Sequence, residues 1–128
     1  MIRASRPAAP TALVRLLMYD GNRVFCVPRE DSGRPDLPTR RTAQGDGDGT
    51  ATISELAAAT VGAGVPLSHL GYVRNTVVPA AHGYAWPTPH AHFSVWTCAQ
   101  SPVIDGAWIP LASLTDRHWF PLAQDFLS

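Results

Sequence analysis

In a chain of 128 residues one segment, Thr50 to Val61, carries a clear helical pattern, and it stands between two groups of β-type segments. Ile53, Leu56 and Thr60 recur at helical spacing, Ala57, Ala58 and Ala59 are strong helix formers, and Gly62 and Gly64 supply a stop. Before it, Thr11 to Tyr19 is an apolar, β-branched run that halts at Asp20-Gly21, a hairpin signal, and Arg23 to Arg29 reads as the returning strand. The stretch from Glu30 to Gly49, rich in Gly, Pro, Asp and Arg, predicts a long irregular loop with a short strand near Arg40 to Ala43. After the helix, His69 to Val78 and His90 to Ala99 read as strands around the loop Pro79 to Pro89. Ala107 to Pro110 adds a short strand and Leu122 to Leu127 a short helix. One main helix between groups of strands joined by long loops predicts α+β, or an α/β/α sandwich.

Size and charge narrow the classes. With 45% hydrophobic and 16% charged residues the chain has enough material for one core and too little for two, so residues 1–10 are expected to be a loose arm and 11–128 a single domain. Ten acidic and ten basic residues cancel, which leaves no net field for nucleic acid or an anionic membrane. The opening residues alternate arginine, alanine and proline without an apolar run, so neither a signal peptide nor a membrane span is expected and the default location is cytoplasmic. Cys26 and Cys98 lie far apart in apolar stretches, which predicts buried reduced thiols rather than a metal or redox pair.

Several groups carry polar chemistry. His90 and His92, two apart in a predicted strand, share one face with Ser94 and Trp96 while Phe93 and Val95 are expected to face the core. Such a pair fits a transition metal, a ligand surface or a merely polar strand start. Arg29, Arg40 and Arg41 flank the long loop, either as solvated surface groups or as bidentate partners for a diphosphate. Tyr84 and Trp86 can stack on a ligand or pin their own loop, and Trp108 and Trp119 are assigned to core or dimer packing. Gly45-Asp46-Gly47-Asp48-Gly49 has the look of a calcium loop but lacks the closing glutamate and later ligands of one. The C-terminal apolar residues Trp119, Phe120, Phe126 and Leu127 predict a homodimer.

Leu37-Pro38, Gly45-Asp46, Ser54-Glu55-Leu56 and Thr60 fall into ungapped register with the box GX5EX7REUXEEXGU, and by this register the chain resembles the Nudix hydrolase superfamily. The resemblance extends to the opening hairpin, Leu13 to Arg29, and to a closing strand and turn, Ala107 to Leu114. It implies a Nudix-type α/β/α sandwich with a mixed β-sheet. It also implies a groove for nucleotide-like or other diphosphate-containing small molecules, with magnesium or manganese as cofactor where the chain is active. In the register Asp46 takes the first glutamate position and Glu55 the glutamate after the arginine, and these two are the candidate catalytic residues. Arg40 stands for the first glycine, Ser54 for the arginine, Ala58 and Ala59 for the paired glutamates and Val61 for the later glycine.

Positions i, i+3 and i+4 share a helix face, so Glu55, Ala58 and Ala59 project together where three carboxylates would make a hard-oxygen site. One carboxylate remains, so no high-affinity metal site is expected, with Glu55 the ligand if any. A second role also fits Glu55, since Thr52-Ile53-Ser54-Glu55 matches a capping box. The expectation is a degenerate Nudix-like domain that binds a diphosphate-containing small molecule with weak or no hydrolysis. Arg29, Arg40, Arg41, His90, His92 and Trp96 are its candidate ligand contacts. The alternatives are an active pyrophosphohydrolase with an altered site, and a protein-interaction domain.

Overall fold

The computed structural model describes residues 2–4, 7, 9–76 and 90–128. In chain order its elements are β1 (Ile2–Arg3), β2 (Thr11–Leu17), β3 (Tyr19–Asp20), β4 (Arg23–Pro28), β5 (Pro35–Asp36), β6 (Thr39–Arg41) and α1 (Thr50–Thr60). There follow β7 (Ser68–Thr76), β8 (His90–Thr97), β9 (Ala107–Pro110), a 3₁₀ turn (Leu111–Leu114) and α2 (Phe120–Leu127).

A five-stranded sheet in the order β1-β7-β8-β2-β6 forms the central layer. It is mixed, because β2 runs parallel to β8 while β1–β7, β7–β8 and β2–β6 are antiparallel. A second, antiparallel sheet is built on β4, which pairs with β3, β5 and β9.

The alternation of side chains along β2 assigns its two faces to two cores. Val14 and Leu16 pack with Ile53, Leu56 and Ala57 of α1, whereas Leu17 packs with Val95, Trp119 and Leu122 on the α2 side. A strand buried on both faces needs apolar residues at nearly every position, which is how Thr11–Leu17 reads. The same holds for β8: Val95 faces the α2 side while Trp96 lies in the α1-side core. The sequence division of β8 into a core face and an open face is therefore corrected, because a strand in the middle of a covered sheet has no open face. Cys26 and Cys98 are unpaired and buried, one in each core.

The hairpin after β2 turns at Gly21-Asn22, with Asp20 opposite Arg23, one residue later than the sequence signal. Gly21 has φ 61°, so the turn sets its glycine at the first position that needs a positive φ. The long loop contributes β5 as well as β6, and residues 1–10 supply β1, which pairs with β7 at the sheet edge. Tyr84 and Trp86 lie outside the described residues.

The apolar C-terminal surface is smaller than the sequence implies. Trp119 is 1% exposed within its own domain, while Phe126 stays 37% exposed and meets Tyr19 edge-to-face at 5.4 Å. Trp108 lies against Phe25 at 5.6 Å with its outer side in solvent.

The entry to α1 depends on one backbone position. Gly49 precedes the helix at φ 78°, and a Cβ there would lie 2.8 Å from Val14 Cγ1 and 3.1 Å from Thr11 Cγ2. Gly49→Ala is therefore expected to lower stability by about 1–3 kcal/mol through combined φ strain and crowding. Gly47→Ala, which meets nothing within 4 Å, should stay within about 0.5 kcal/mol of the parent in the same urea titration.

Candidate functional site

A helix begins with N–H groups that have no partner in the helix itself. Here the loop before α1 supplies acceptors from two aspartates. Asp48 Oδ1 accepts from Thr50 N–H at 3.0 Å, Asp46 Oδ1 from Ala51 N–H at 3.3 Å, and Asp46 Oδ2 from Thr52 N–H at 2.7 Å. The Thr52 hydroxyl also donates to Asp46 Oδ2 at 2.7 Å and accepts from Ala43 N–H at 3.0 Å, tying the loop to the helix. Both carboxylates sit at the positive end of the helix dipole. The Gly-Asp repeat thus serves as a helix-capping loop.

Asp46 is tuned by this setting. Burial opposes its ionisation, but the bonds from the Thr52 hydroxyl and from the Thr52 and Ala51 amides outweigh that and hold its carboxyl below the ordinary value. A carboxyl whose folded value is depressed contributes stability that is present above its unfolded pKa, about 3.9, and is lost as pH falls through the folded value. Asp46→Ala is expected to cost about 1 kcal/mol at neutral pH. In chemical denaturation series at stepped pH the gap between variant and parent should narrow below about pH 4.

Glu55 does not close a capping box, because the helix starts at Thr50 and Thr52 is already inside it. Its side chain is 69% exposed, and its Oε2 lies 3.7 Å from Nη1 of Arg40 on β6. Ala58 and Ala59 are exposed on the same side of α1. The face that would carry three carboxylates thus holds one carboxylate and one guanidinium. Among the described residues no three His, Cys, Asp or Glu side chains come together in a way that would hold a metal ion. A divalent magnesium or manganese ion prefers several hard oxygens. The donor set here does not fit it, since Asp46 is engaged by the helix and Glu55 faces a cation.

Around this helix entry a cleft of about 490 Å³ opens between the start of β2 and the β6–α1 loop, with Thr11, Ala12, Arg41, Gln44 and Asp46 among its walls. Behind it, His92 is buried at 5% exposure; its Nδ1–H donates to the Pro10 carbonyl at 2.9 Å, and its ring meets Tyr72 edge-to-face at 5.1 Å. His90 opens β8, but its side chain lies outside the described residues. Trp96 sits deeper, 9% exposed, edge-to-face with His69 at 4.9 Å. Burial holds the His69 pKa below its ordinary value despite the bond from its Nδ1–H to the Ala4 carbonyl.

The three arginines expected around one loop are divided. Arg40 meets Glu55, Arg41 borders the cleft, and Arg29 belongs to another cavity, of about 220 Å³, that also reaches Arg15 and Trp119. That second cavity holds polar residues the sequence reading missed: Arg15, Arg34, Asp36 and Arg117. Asp36 is 4% exposed and accepts from Leu37 N–H at 2.8 Å and Trp119 Nε1–H at 2.7 Å. Burial and then the Asp36 charge push the nearby Cys26 thiol up to about 12, although Arg117 opposes this in part. A signal for the cluster was present: Arg15 is the one charged residue inside an otherwise apolar strand.

The mixed sheet between two helices, with a loop–helix unit on one face, is the fold of Nudix domains. Two solved structures illustrate the likeness. The Nudix domain of NrtR from Shewanella oneidensis, complexed with ADP ribose, matches with a TM-score of 0.59 at 18% identity over 94% of this chain and 90% of that one. The dihydroneopterin triphosphate pyrophosphohydrolase of E. coli matches with a TM-score of 0.57 at 15% identity over 88% of each chain. No protein-family model and no curated protein sequence matches the chain. At these identities the likeness establishes the fold, and chemistry has to be argued from the residues. No helix among the described residues is long and apolar enough to cross a membrane.

Proposed function

We propose that this Nudix-fold domain binds a diphosphate-containing small molecule of the nucleotide class and turns it over slowly or not at all. The observation that carries this reading is the pairing of Arg40 with Glu55 on a helix face whose other two positions are alanine. In metal-dependent phosphoryl chemistry divalent ions polarise phosphorus and generate the attacking hydroxide. A guanidinium beside the one remaining carboxylate repels such an ion. The pair is exposed and worth only about 0–1 kcal/mol to stability, so its effect is on what can approach Glu55 rather than on the fold.

Binding is supported by two features: the cleft beside Arg41, and the ADP ribose held by the Nudix domain of NrtR. Arginine recognises phosphate oxygens bidentately without a metal. A homodimer remains part of the proposal, resting now on Phe126 and Tyr19 rather than on Trp119.

The test is a pair of measurements on the parent and on an Ala58→Glu/Ala59→Glu variant. The parent should show little magnesium- or manganese-stimulated hydrolysis of ADP-ribose, nucleoside triphosphates or sugar nucleotides, yet calorimetry with ADP-ribose should show saturable binding. The variant should gain manganese affinity, and removing the opposing charge with Arg40→Gly should strengthen it further. Loss of positioned catalytic groups typically costs about 10²- to 10⁴-fold in rate. Robust metal-dependent turnover by the parent, abolished by Glu55→Gln, would overturn the reading.

A further inference from the structure

On the α2 side of the central sheet, the face opposite α1 and Glu55, the cavity of about 220 Å³ gathers four arginines against two aspartates. Three of the guanidinium groups are held in place by carboxylates or a backbone carbonyl. Arg29 makes a bidentate pair with Asp31 at 3.1 and 3.0 Å and lies 3.6 Å from Asp36 Oδ2. Arg34 donates to Asp116 at 2.6 Å, and Arg117 donates to Asp116 and, from Nε and Nη2, to the Pro35 carbonyl at 3.2 and 2.6 Å.

Arg15 differs from these three. It rises from the middle of β2, is 8% exposed, and its Nε and Nη1 are buried with no hydrogen-bond acceptor. Its guanidinium lies 5.8 Å from the centre of the Phe93 ring, a contact with a π face that leaves the N–H donors unused. Asp36 offers no substitute, because its Oδ1 is taken by Leu37 and Trp119 and its Oδ2 faces Arg29. Burial is the main influence on Arg15 and lowers its pKa; Asp36 restores part of this and Arg29 lowers it again. A buried guanidinium stays charged in proteins, so donors left without an acceptor in a polar cavity call for an oxyanion.

We infer that this cavity is a binding site for a compact dianion of the phosphate class, either free orthophosphate or the phosphoryl end of a small phosphomonoester, with Arg15 as its floor. The surplus of two positive charges among the lining side chains matches a dianion, and the planar fork of arginine matches phosphate geometry. The cavity is too small for a whole dinucleotide ligand. The site is independent of any ligand at the α1 face, and either reading can fail alone.

Orthophosphate and ribose 5-phosphate, titrated separately at matched ionic strength against chloride, test it by calorimetry and by the melting midpoint. Orthophosphate should bind saturably and raise the midpoint by roughly 5 °C or more near saturation. Arg15→Met should weaken binding at least tenfold and abolish the phosphate-dependent rise. Without phosphate this variant should melt at or above the parent, because it removes a buried charge that has no acceptor. Arg34→Gln at the rim, where the arginine side chain is 60% exposed, should weaken binding several-fold without disturbing the fold. Arg23→Gln, on the exposed hairpin, should change nothing. Tighter binding of ribose 5-phosphate than of orthophosphate assigns the site to a phosphomonoester; equal or weaker binding assigns it to free phosphate. Absence of saturable binding of either, or undiminished affinity in Arg15→Met, would overturn the proposal. So would weakening by Arg23→Gln as large as by Arg34→Gln, which would mark an adventitious ion only. Should Arg15→Met not fold, unchanged affinity in both Arg29→Gln and Arg34→Gln would overturn it equally.

Discussion

The parallel pairing of β2 with β8 sets what the rest of the molecule can do. Parallel neighbours have to be connected by a long crossover, and the chain between them supplies α1 on the way. With α1 covering one face and α2 the other, both strands are buried on both sides, and their apolar residues are shared out among separate clusters on the two faces. Polar groups on these strands therefore have to find a partner inside the protein or a cavity. His92 and Thr97 find backbone carbonyls, donating to Pro10 and Leu17 respectively. Arg15 finds a cavity.

The helix–loop unit keeps the positions that pack the fold apart from the positions that face solvent. The buried stripe of α1, Thr52, Ile53, Leu56, Ala57 and Thr60, supplies the packing, and the exposed side carries Glu55, Ala58 and Ala59. Because the two stripes are on different faces, an exchange between carboxylate and alanine on the exposed one leaves the core untouched. Alanine is if anything the better helix former. Asp46 differs from these positions, since its acidic side chain meets a structural demand of the helix. The open N–H groups of α1 require acceptors whether or not a metal is ever bound.

Much of this architecture could be read from the sequence, and the parts that could not have a common cause. Strand and helix positions followed periodicity and turn chemistry, which are local, so α1 and β9 fell within a residue of their expected bounds. The Nudix-type sandwich followed from the register of the box with the helix. Side-chain partners that are distant in sequence were not legible. Nothing local distinguishes Trp119 as the donor to Asp36, 83 positions earlier, or splits Arg29 from Arg40 and Arg41 across the sheet. The capping role of Asp46 was missed for a different reason. Its side chain reaches five and six residues ahead to Ala51 and Thr52, beyond the two- or three-residue reach of an ordinary N-cap.

The distribution of charge bears on how a neutral chain would serve the anionic ligands proposed for it. Its net charge of zero removes long-range steering, so selectivity has to come from local arrangement. At the smaller cavity Asp31, outside the lining, pairs with Arg29, and Asp116, part of the lining, pairs with Arg34 and Arg117, while the lining as a whole keeps a positive surplus. Such pairs add little stability in water, but they fix the orientation of flexible guanidinium groups before a ligand arrives. The unpaired, buried Arg15 then contributes most where water is excluded and the local dielectric is lowest, because the attraction between opposite charges grows as the dielectric falls. If the proposed anion binds, an arginine in that position is unfavourable for the empty domain and favourable for the occupied one, which is the difference in free energy that a binding site requires.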